Sequence, residues 1–297
     1  MRRIAKTLSI ASTIALLSSA LAAQTGARVV PVEIDADVVY GHKMGMALTF
    51  DVLEPAKPNG AAVLFMVSGG WFSRWSPPAQ LAARFDDLLV SGFTVFAVRH
   101  GSSPLFKVPD AVADVRRAAR FVKANASEWG VDPQRIGVFG GSAGGHLSLM
   151  LGTTGDEGDP ASEDPVLRQS SRVAAVVAYF PPVDLTGITG PNDRFPALDF
   201  DAGLAQSVSP IFHVSADDVP SLMIHGDKDE LVPLRNSERI VEAFKGAGVA
   251  TDLIVLAGAA HGFEGEHAET ATAAMVRWFE THLGVASDGG ETQATGQ

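Results

Sequence analysis

Hydrophobic residues follow two different patterns along the chain. Near its beginning, residues 29–39 and 46–53 alternate between apolar and polar side chains, with Gly41 and Gly45 between the two stretches. A period of two indicates half-buried strands, so we expect an antiparallel pair here. Later runs are continuously apolar and bounded by glycine or polar residues, a pattern typical of strands buried on both faces of a parallel sheet. These predicted strands are residues 61–67, 93–98, 136–139, 173–180, 221–225 and 251–256.

Segments with helical periodicity separate the predicted strands. Apolar side chains recur there at spacings of three and four residues, which places them on one face of a helix. The predicted helices are residues 78–89, 109–129, 143–151, 234–244 and 268–283. Alternating strands and helices predict an α/β fold with a mostly parallel central sheet and helices on both faces. Residues 181–219 fit neither period, and we expect short helices over the edge of the sheet.

The two ends of the chain differ in composition from the rest. Residues 1–23 begin with basic side chains, continue as an uncharged apolar run and end in small residues. This order predicts a signal peptide cleaved after Ala22 or Ala23, and hence an exported protein, periplasmic or secreted. The uncharged run is short compared with the about 20 residues that cross a bilayer, so we expect no membrane span in the mature protein.

The remaining chain is predicted to form one domain. Residues 286–297 are small and polar, which predicts a disordered tail. Residues 24–285 contain no internal repeat and no linker-like segment, so they are predicted to be a single α/β domain.

Composition narrows the possible partners. The chain has 34 acidic and 23 basic residues and a formal net charge of −11, which argues against nucleic acids and anionic membrane surfaces as partners. There is no cysteine, which excludes disulfides, thiol catalysis and cysteine-ligated metals. The sequence contains no phosphate loop, nucleotide fingerprint or metal-ligand cluster. We therefore expect no cofactor and no metal.

A candidate nucleophile lies between a predicted strand and a predicted helix. Residues 140–144 read Gly-Gly-Ser-Ala-Gly, the pattern G-x-S-x-G, with Ser142 at its centre. Small neighbours allow the sharp turn that exposes a serine hydroxyl, and the following helix directs N–H groups toward charge that develops nearby. A serine needs a base to remove its proton, so its partners must be sought elsewhere in the chain.

Candidate partners follow the next strands in the order acid, then histidine. Asp227 and Asp229 lie on the loop after residues 221–225, and His261 lies on a loop of small residues before the last helix. The order Ser, Asp, His is the one found in α/β-hydrolases. Spacing alone does not decide between the two aspartates. Of the other histidines near these motifs, His146 is interpreted as a residue that packs or supports the catalytic residues rather than as a catalyst. His225, at the end of a buried strand, is interpreted as a structural packing residue.

A glycine-containing loop after residues 61–67 is a candidate oxyanion hole. Backbone N–H groups of Gly69 or Gly70, together with that of Ala143, could stabilise a tetrahedral oxyanion. An ordinary tight turn is the alternative interpretation. Trp71 and Phe72 beside the loop are predicted to line the substrate pocket, although packing of the loop would equally explain them. Three phenylalanines of the irregular region could form a far wall, or simply pack: Phe195, Phe200 and Phe212.

Together these motifs resemble those of the bacterial α/β-hydrolase esterase/lipase family related to hormone-sensitive lipase, especially its feruloyl-esterase-like branch. The matching stretches are Ser-Gly-Gly-Trp at 68–71, Asp-Pro-Gln-Arg-Ile at 132–136, Gly-Ser-Ala-Gly-Gly-His-Leu at 141–147, His-Gly-Asp-Lys-Asp-Glu-Leu-Val-Pro at 225–233 and Ala-His-Gly-Phe at 260–263. The resemblance implies an α/β-hydrolase fold and a Ser-Asp-His triad. It also implies Asp229 as the acid, because that residue matches the H-G-x-x-D-x-x-V-P string of the family. The oxyanion loop departs from the family, which usually begins it with histidine and several glycines, whereas this chain has Val67 and Ser68.

The expected function is that of a serine carboxylesterase. The motifs do not select a substrate among carboxylic esters. We expect esters of the short-chain acyl, acetyl or feruloyl type, on small molecules or on polysaccharides, and the predicted export favours the acetyl and feruloyl groups of polysaccharides. A serine peptidase of the prolyl-oligopeptidase type is one alternative, but that family usually has an aromatic residue where this chain has Ala143. A non-catalytic binding protein is another, although such proteins typically lack one member of the triad.

Overall fold

An eight-stranded sheet forms the centre of the protein. The computed structural model describes residues 31–285, and the compact unit begins at Val32. The predicted signal peptide, 1–23, and the predicted tail, 286–297, lie outside the described residues. The strands are β1 (Val32–Lys43), β2 (Met46–Pro55), β3 (Ala62–Met66), β4 (Thr94–Val98), β5 (Ile136–Gly141), β6 (Ala175–Tyr179), β7 (Ser221–Gly226) and β8 (Thr251–Leu256).

The order of the strands confirms the predicted sheet. It is β1-β2-β4-β3-β5-β6-β7-β8. The alternating strands β1 and β2 form the predicted antiparallel pair, and β2 is also antiparallel to β4. All the remaining neighbours are parallel. The continuously apolar strands β3 to β7 are buried, and the edge strand β8 is only partly buried, as expected for a strand with one neighbour.

Helices cover both faces of the sheet. The α-helices are α1 (Pro78–Ala82), α2 (Asp86–Val90), α3 (Val108–Ala124), α4 (Ala143–Thr154), α5 (Arg235–Ala247) and α6 (Gly265–His282). Successive strand residues point to opposite faces. On β5, Gly137 lies against Phe279 of α6, whereas Gly140 lies against Gly144 of α4. The central strand is therefore enclosed between α4 and α6. Within residues 31–285, no helix has the length and apolar character needed to cross a membrane.

Two predicted helices are shorter than expected. The predicted helix 78–89 is divided into α1 and α2, because the chain leaves helical geometry at Phe85. The ring of Phe85 packs edge-on against Phe65 and Phe139, with centroid distances of 5.0 and 5.9 Å. The predicted helix 109–129 ends as an α-helix at Ala124 and continues as a separate 3-10 turn.

The irregular region contains the predicted short helices. Its 3-10 turns are Pro196–Leu198, Ala202–Leu204, Gln206–Val208 and Pro210–Phe212. They pack beside α4, since the carbonyl oxygen of Val208 accepts a hydrogen bond of 2.7 Å from His146. The three phenylalanines of this region have different surroundings: Phe195 lies against Gly70 of the predicted oxyanion loop, Phe200 packs on the core and Phe212 is 48% exposed.

Candidate active site

Ser142 lies on a sharp turn between β5 and α4. Its backbone has φ 54° and ψ −120°, a left-handed conformation that non-glycine residues rarely adopt. Its N–H donates to the carbonyl oxygen of Tyr179 on β6 at 2.9 Å, and its own carbonyl oxygen accepts from His146 N–H at 2.9 Å. These two bonds hold the strained turn in place. The turn presents the hydroxyl of Ser142 at the carboxyl end of the sheet.

The turn requires glycine at two positions. A Cβ at Gly140 would lie 2.5 Å from the backbone of Gly144. A Cβ at Gly144 would lie 2.8 Å from the carbonyl oxygen of Met66 on β3. Both contacts are with backbone atoms that cannot move independently of the sheet. The small residues of the G-x-S-x-G motif therefore let the strand, the turn and the helix pack closely.

The structure brings the predicted histidine and acid to Ser142. His261 Nε2 lies 3.0 Å from Ser142 Oγ, and His261 Nδ1 lies 2.7 Å from Asp229 Oδ2. With the Nδ1 proton donated to the carboxylate, Nε2 is free to accept the serine proton. The carboxylate is fully buried, whereas the imidazole is 21% exposed. Phe180 packs against the imidazole with a centroid distance of 4.6 Å.

The two aspartates of the loop after β7 have different surroundings. Asp229 Oδ1 accepts the backbone N–H groups of Leu231 at 3.0 Å and Val232 at 2.9 Å, which leaves Oδ2 for His261. Asp227 instead accepts the N–H of Gly258 at 2.7 Å and ties together the two loops that carry the acid and the histidine. Spacing left both aspartates open, and the geometry selects Asp229 as the partner of His261.

The buried His225 also contacts the acid. Its Nε2 donates to the carbonyl oxygen of Val232 at 2.8 Å and lies 3.3 Å from Asp229 Oδ2. Its Nδ1 accepts from the hydroxyl of Ser237 at 2.7 Å. Desolvation lowers the pKa of His225, so the ring is neutral and its contact with Asp229 is not an ion pair. The histidine interpreted from sequence as a packing residue therefore also holds the acid in position.

The predicted oxyanion loop closes on itself through two backbone hydrogen bonds. Gly69 N–H donates to the carbonyl oxygen of Phe72 at 3.0 Å, and Phe72 N–H donates back at 3.0 Å. The N–H of Gly69 is thus already used, which corrects its prediction as an oxyanion donor. Gly70 has φ 57° and no hydrogen bond from its N–H within residues 31–285. Gly70 and Ala143, the first residue of α4, remain as candidate donors.

A histidine that the sequence interpretation missed anchors this loop. His100 donates from Nδ1 to the carbonyl oxygen of Gly101 at 2.8 Å, so its Nε2 accepts from the hydroxyl of Ser68 at 2.9 Å. Burial lowers the pKa of His100 to about 4, which keeps the ring neutral and its Nε2 an acceptor. The family usually has a different residue at the position of Ser68. In this chain, the hydrogen bond between Ser68 and His100 anchors the oxyanion loop. The histidine lies two residues after the end of β4, and this position at the carboxyl end of a strand was the signal that could have revealed it.

Trp71 lies away from the cleft. Its side chain is 4% exposed, and its indole N–H donates to His146 Nδ1 at 3.3 Å. Burial also lowers the pKa of His146 to about 4. The prediction that Trp71 lines the substrate pocket is therefore corrected: it joins the oxyanion loop to α4. Phe72 lies partly exposed beside Ser68 and Gly69.

A cavity of about 460 Å³ opens at Ser142. Its walls are largely aromatic and apolar, and the residues that form most of them are Phe65, Phe85, Phe139, Phe180, Phe263 and Met275. Arg84 is its one charged lining residue among the described part of the chain. Burial raises the pKa of Tyr179, another lining residue, so its hydroxyl stays protonated and donates to the carbonyl oxygen of Ala271. This cavity suits an acyl or aromatic group placed next to the serine hydroxyl.

The part of the chain from 31 to 285 contains no cluster of histidines and carboxylates arranged for a metal. The groups assembled at the cleft are instead a nucleophile, a base, an acid and backbone donors. Such a set performs acyl transfer through a covalent intermediate.

The sequence profile of the BD-FAE family matches residues 50–244. The chain belongs to the BD-FAE family. This assignment confirms the resemblance to α/β-hydrolase esterases and lipases related to hormone-sensitive lipase. The matched residues include the turn of Ser142 and the loop of Asp229, whereas His261 lies beyond them.

Several relatives of this chain are named as ester hydrolases. The probable carboxylic ester hydrolase LipM of Mycobacterium tuberculosis is 31% identical over 227 residues, covering 71% of this chain and 52% of LipM. The acetylxylan esterase of Xylanibacter ruminicola is 28% identical over 218 residues, covering 70% of this chain and 42% of that protein. The chain therefore spans about half the length of the curated relatives it matches.

Among solved structures, the thermophilic esterase Est2 of Thermogutta terrifontis superposes with a TM-score of 0.70 at 30% identity, covering 88% of this chain and 95% of Est2. Another structure of that enzyme, with a TM-score of 0.69, shows it phosphorylated by paraoxon. These likenesses confirm the α/β-hydrolase fold.

Proposed function

We propose that the protein is a serine carboxylesterase. The observation that carries this proposal is the continuous chain of contacts from Ser142 Oγ to His261, 3.0 Å, and from His261 to Asp229, 2.7 Å, at the mouth of an apolar cavity. The likeness to LipM and Est2, both named as ester hydrolases, supports the same conclusion.

In the first half-reaction, Ser142 Oγ attacks the acyl carbon while His261 Nε2 takes the serine proton. Asp229 holds the imidazole in the required tautomer and stabilises its protonated form. The backbone N–H groups of Gly70 and Ala143 bind the oxyanion. His261 then gives its proton to the leaving alcohol, and the acyl group stays on the serine.

In the second half-reaction, His261 removes a proton from water, which attacks the acyl carbon. The tetrahedral oxyanion occupies the same donors, and its collapse returns the proton to Ser142 and releases the carboxylic acid. No cofactor takes part in either step, since every proton and bond is accounted for by the ester, water and the triad.

The substrate class we propose is esters with short or aromatic acyl groups. The cavity beside Ser142 is lined mainly by aromatic rings, which suits acetyl, other short-chain acyl and feruloyl-type groups. The likeness to an acetylxylan esterase supports polysaccharide-linked esters as one source. Export, with removal of the signal peptide after Ala22 or Ala23, would give the enzyme access to such polymers, and mature protein beginning at Ala23 or Gln24 would support it.

Two measurements test the activity. Ser142→Ala should lower kcat on p-nitrophenyl acetate by about 10⁵- to 10⁶-fold, and it should abolish labelling by a fluorophosphonate probe. Its fold should remain, because the change removes one partly exposed oxygen. Wild-type turnover by the alanine variant would refute the proposal. A panel of p-nitrophenyl acyl esters, acetylated xylan and feruloyl esters then identifies the acyl group, and matched anilides separate an esterase from a peptidase.

A further inference from the structure

A second cavity, of about 440 Å³, adjoins the one at Ser142. The two share four lining residues: Phe65, Ser68, Gly69 and Arg84. The second cavity is lined by residues of the oxyanion loop but by neither Ser142 nor His261. A substrate held at Ser142 could therefore extend past the oxyanion loop into it.

The charged side chains of this second cavity are all basic. Arg74, Arg84 and Arg99 line it, and within residues 31–285 no aspartate or glutamate lines either cavity. This local charge is opposite to that of the whole chain, whose formal net charge is −11. A positive cleft on a negative protein attracts anions at short range, although the overall charge repels them.

The three arginines differ in their partners. Arg99 is buried and bonded to Asp51 through two contacts of 2.6 and 2.9 Å and to Asp37 at 2.8 Å, so its charge is balanced. The guanidinium groups of Arg74 and Arg84 form no ion pair and no hydrogen bond with any residue from 31 to 285. The two guanidinium groups of the cavity that remain available to a ligand are those of Arg74 and Arg84.

Aromatic rings support these two guanidinium groups without neutralising them. Arg74 lies over the ring of Phe72 at 5.6 Å, and Arg84 lies over the ring of Phe65 at 6.0 Å. Stacking on a ring restricts a long side chain while its planar N–H fork stays free for a carboxylate.

We propose that the protein selects esters that carry a carboxylate, which Arg74 and Arg84 bind in this second cavity while the ester carbonyl lies at Ser142. This inference rests on the proposed esterase function and narrows its substrate class. The carboxylate belongs to the acyl part or to the alcohol part of the ester, and the two sources are separated by experiment.

The test compares each charged ester with a neutral ester of the same shape. For the alcohol part, the pair is 4-acetoxybenzoate and 4-acetoxybenzamide; for the acyl part, it is monophenyl adipate and phenyl adipamate. The measured quantity is the ratio of kcat/KM for the charged ester to kcat/KM for the neutral ester, divided by the wild-type ratio. Intrinsic reactivity and loss of folded enzyme cancel in this quotient.

In at least one pair, Arg74→Gln and Arg84→Gln should each lower the ratio about fivefold or more, and Arg84→Glu should lower it further. Arg235→Gln is the matched control, because Arg235 is an exposed arginine of α5 that lines neither cavity. The wild-type ratio should also fall as NaCl is raised, since salt screens the attraction.

The pair that responds identifies the part of the ester that bears the carboxylate. The inference would be overturned if, for both pairs, the ratios changed no more than in Arg235→Gln and did not depend on salt. Turnover of the neutral esters would still support the esterase function in that case. Absence of turnover on every ester, with no labelling of Ser142, would instead refute the proposed function itself.

Discussion

His225 Nε2 lies 3.3 Å from Asp229 Oδ2, the same oxygen that His261 contacts at 2.7 Å. The carboxylate thus has one oxygen held by two backbone N–H groups and the other between two imidazoles. The Nε2 proton of His225 is donated to the carbonyl oxygen of Val232, and the N–H of Val232 in turn donates to Asp229, so the buried ring fixes the loop that holds the carboxylate. Ser237 fixes the tautomer of His225 in turn.

We therefore expect His225→Leu to lower kcat about tenfold, with a smaller change in KM, because the loop that holds Asp229 loses its buried hydrogen bond from His225 to Val232. His225→Gln keeps an N–H donor and should retain more activity than the leucine variant. Steady-state kinetics on p-nitrophenyl acetate measure both. Equal, wild-type kcat in the two variants would show that His225 only packs.

Replacing the two loop aspartates should have unequal effects. Asp229→Asn should lower kcat by about three to four orders of magnitude, because an amide can favour the wrong imidazole tautomer. Asp227→Asn should have a small effect, since the asparagine oxygen can still accept the N–H of Gly258. The kcat values of both variants on one activated ester decide this. If the Asp227 variant instead loses most of its activity, Asp227 is the acid of the triad.

The anchor between Ser68 and His100 should matter for the transition state more than for binding. Ser68→Ala removes the hydroxyl that holds the oxyanion loop to His100, and we expect kcat to fall about tenfold as the donors lose their alignment. Ser91→Ala, at the end of α2, is the control and should leave kcat unchanged. An unchanged kcat for Ser68→Ala would mean that the loop is held by its own Gly69 and Phe72 bonds.

The close approach at Gly144 gives a prediction of stability. A Cβ there would lie 2.8 Å from the carbonyl oxygen of Met66, so Gly144→Ala should lower the free energy of unfolding by about 1–3 kcal/mol. The control is Gly246→Ala on α5, where no atom lies within 4 Å and alanine should be neutral or stabilising. Urea denaturation followed by tryptophan fluorescence measures both.

Buried neutral histidines make stability depend on pH. Burial lowers the pKa of His100 and of His146 to about 4, below the value of about 6.5 in an unfolded chain. Between these values the unfolded state binds more protons, so the free energy of unfolding should fall as pH drops from about 6.5 to about 4, by up to about 1.4 kcal/mol per pH unit for each ring. His146→Gln should reduce this slope. Denaturation curves at successive pH values measure the slopes.

The fold could be predicted from the sequence because strands buried on both faces of a sheet are continuously apolar. Strands β3 to β7 are continuously apolar, and the structure confirms their positions to within one or two residues. The break between α1 and α2 could not be predicted, because it depends on the contact of Phe85 with Phe65 and Phe139, which come together only in the folded sheet.

The candidate site was predictable in its order along the chain but not in its hydrogen bonds. Ser142 and His261 follow from position at the ends of strands, and Asp229 followed from family resemblance alone. Whether a backbone N–H is free to bind an oxyanion could not be predicted from the sequence. The N–H of Gly69 donates to the carbonyl oxygen of Phe72 and is therefore not free. The side chain of Trp71 turns inward toward His146 because its backbone has a φ of 59°, and no sequence pattern predicts that angle.

The paired hydrogen bonds between Gly69 and Phe72 determine when the oxyanion loop becomes ordered. Together with the link from Ser68 to His100, they fix the oxyanion loop before any ester arrives. Little conformational entropy is then lost when the transition state forms, because the donors are already ordered in the free protein. The enzyme should accordingly bind an ester without a slow closing step, and its reaction should begin at full rate from the first turnover.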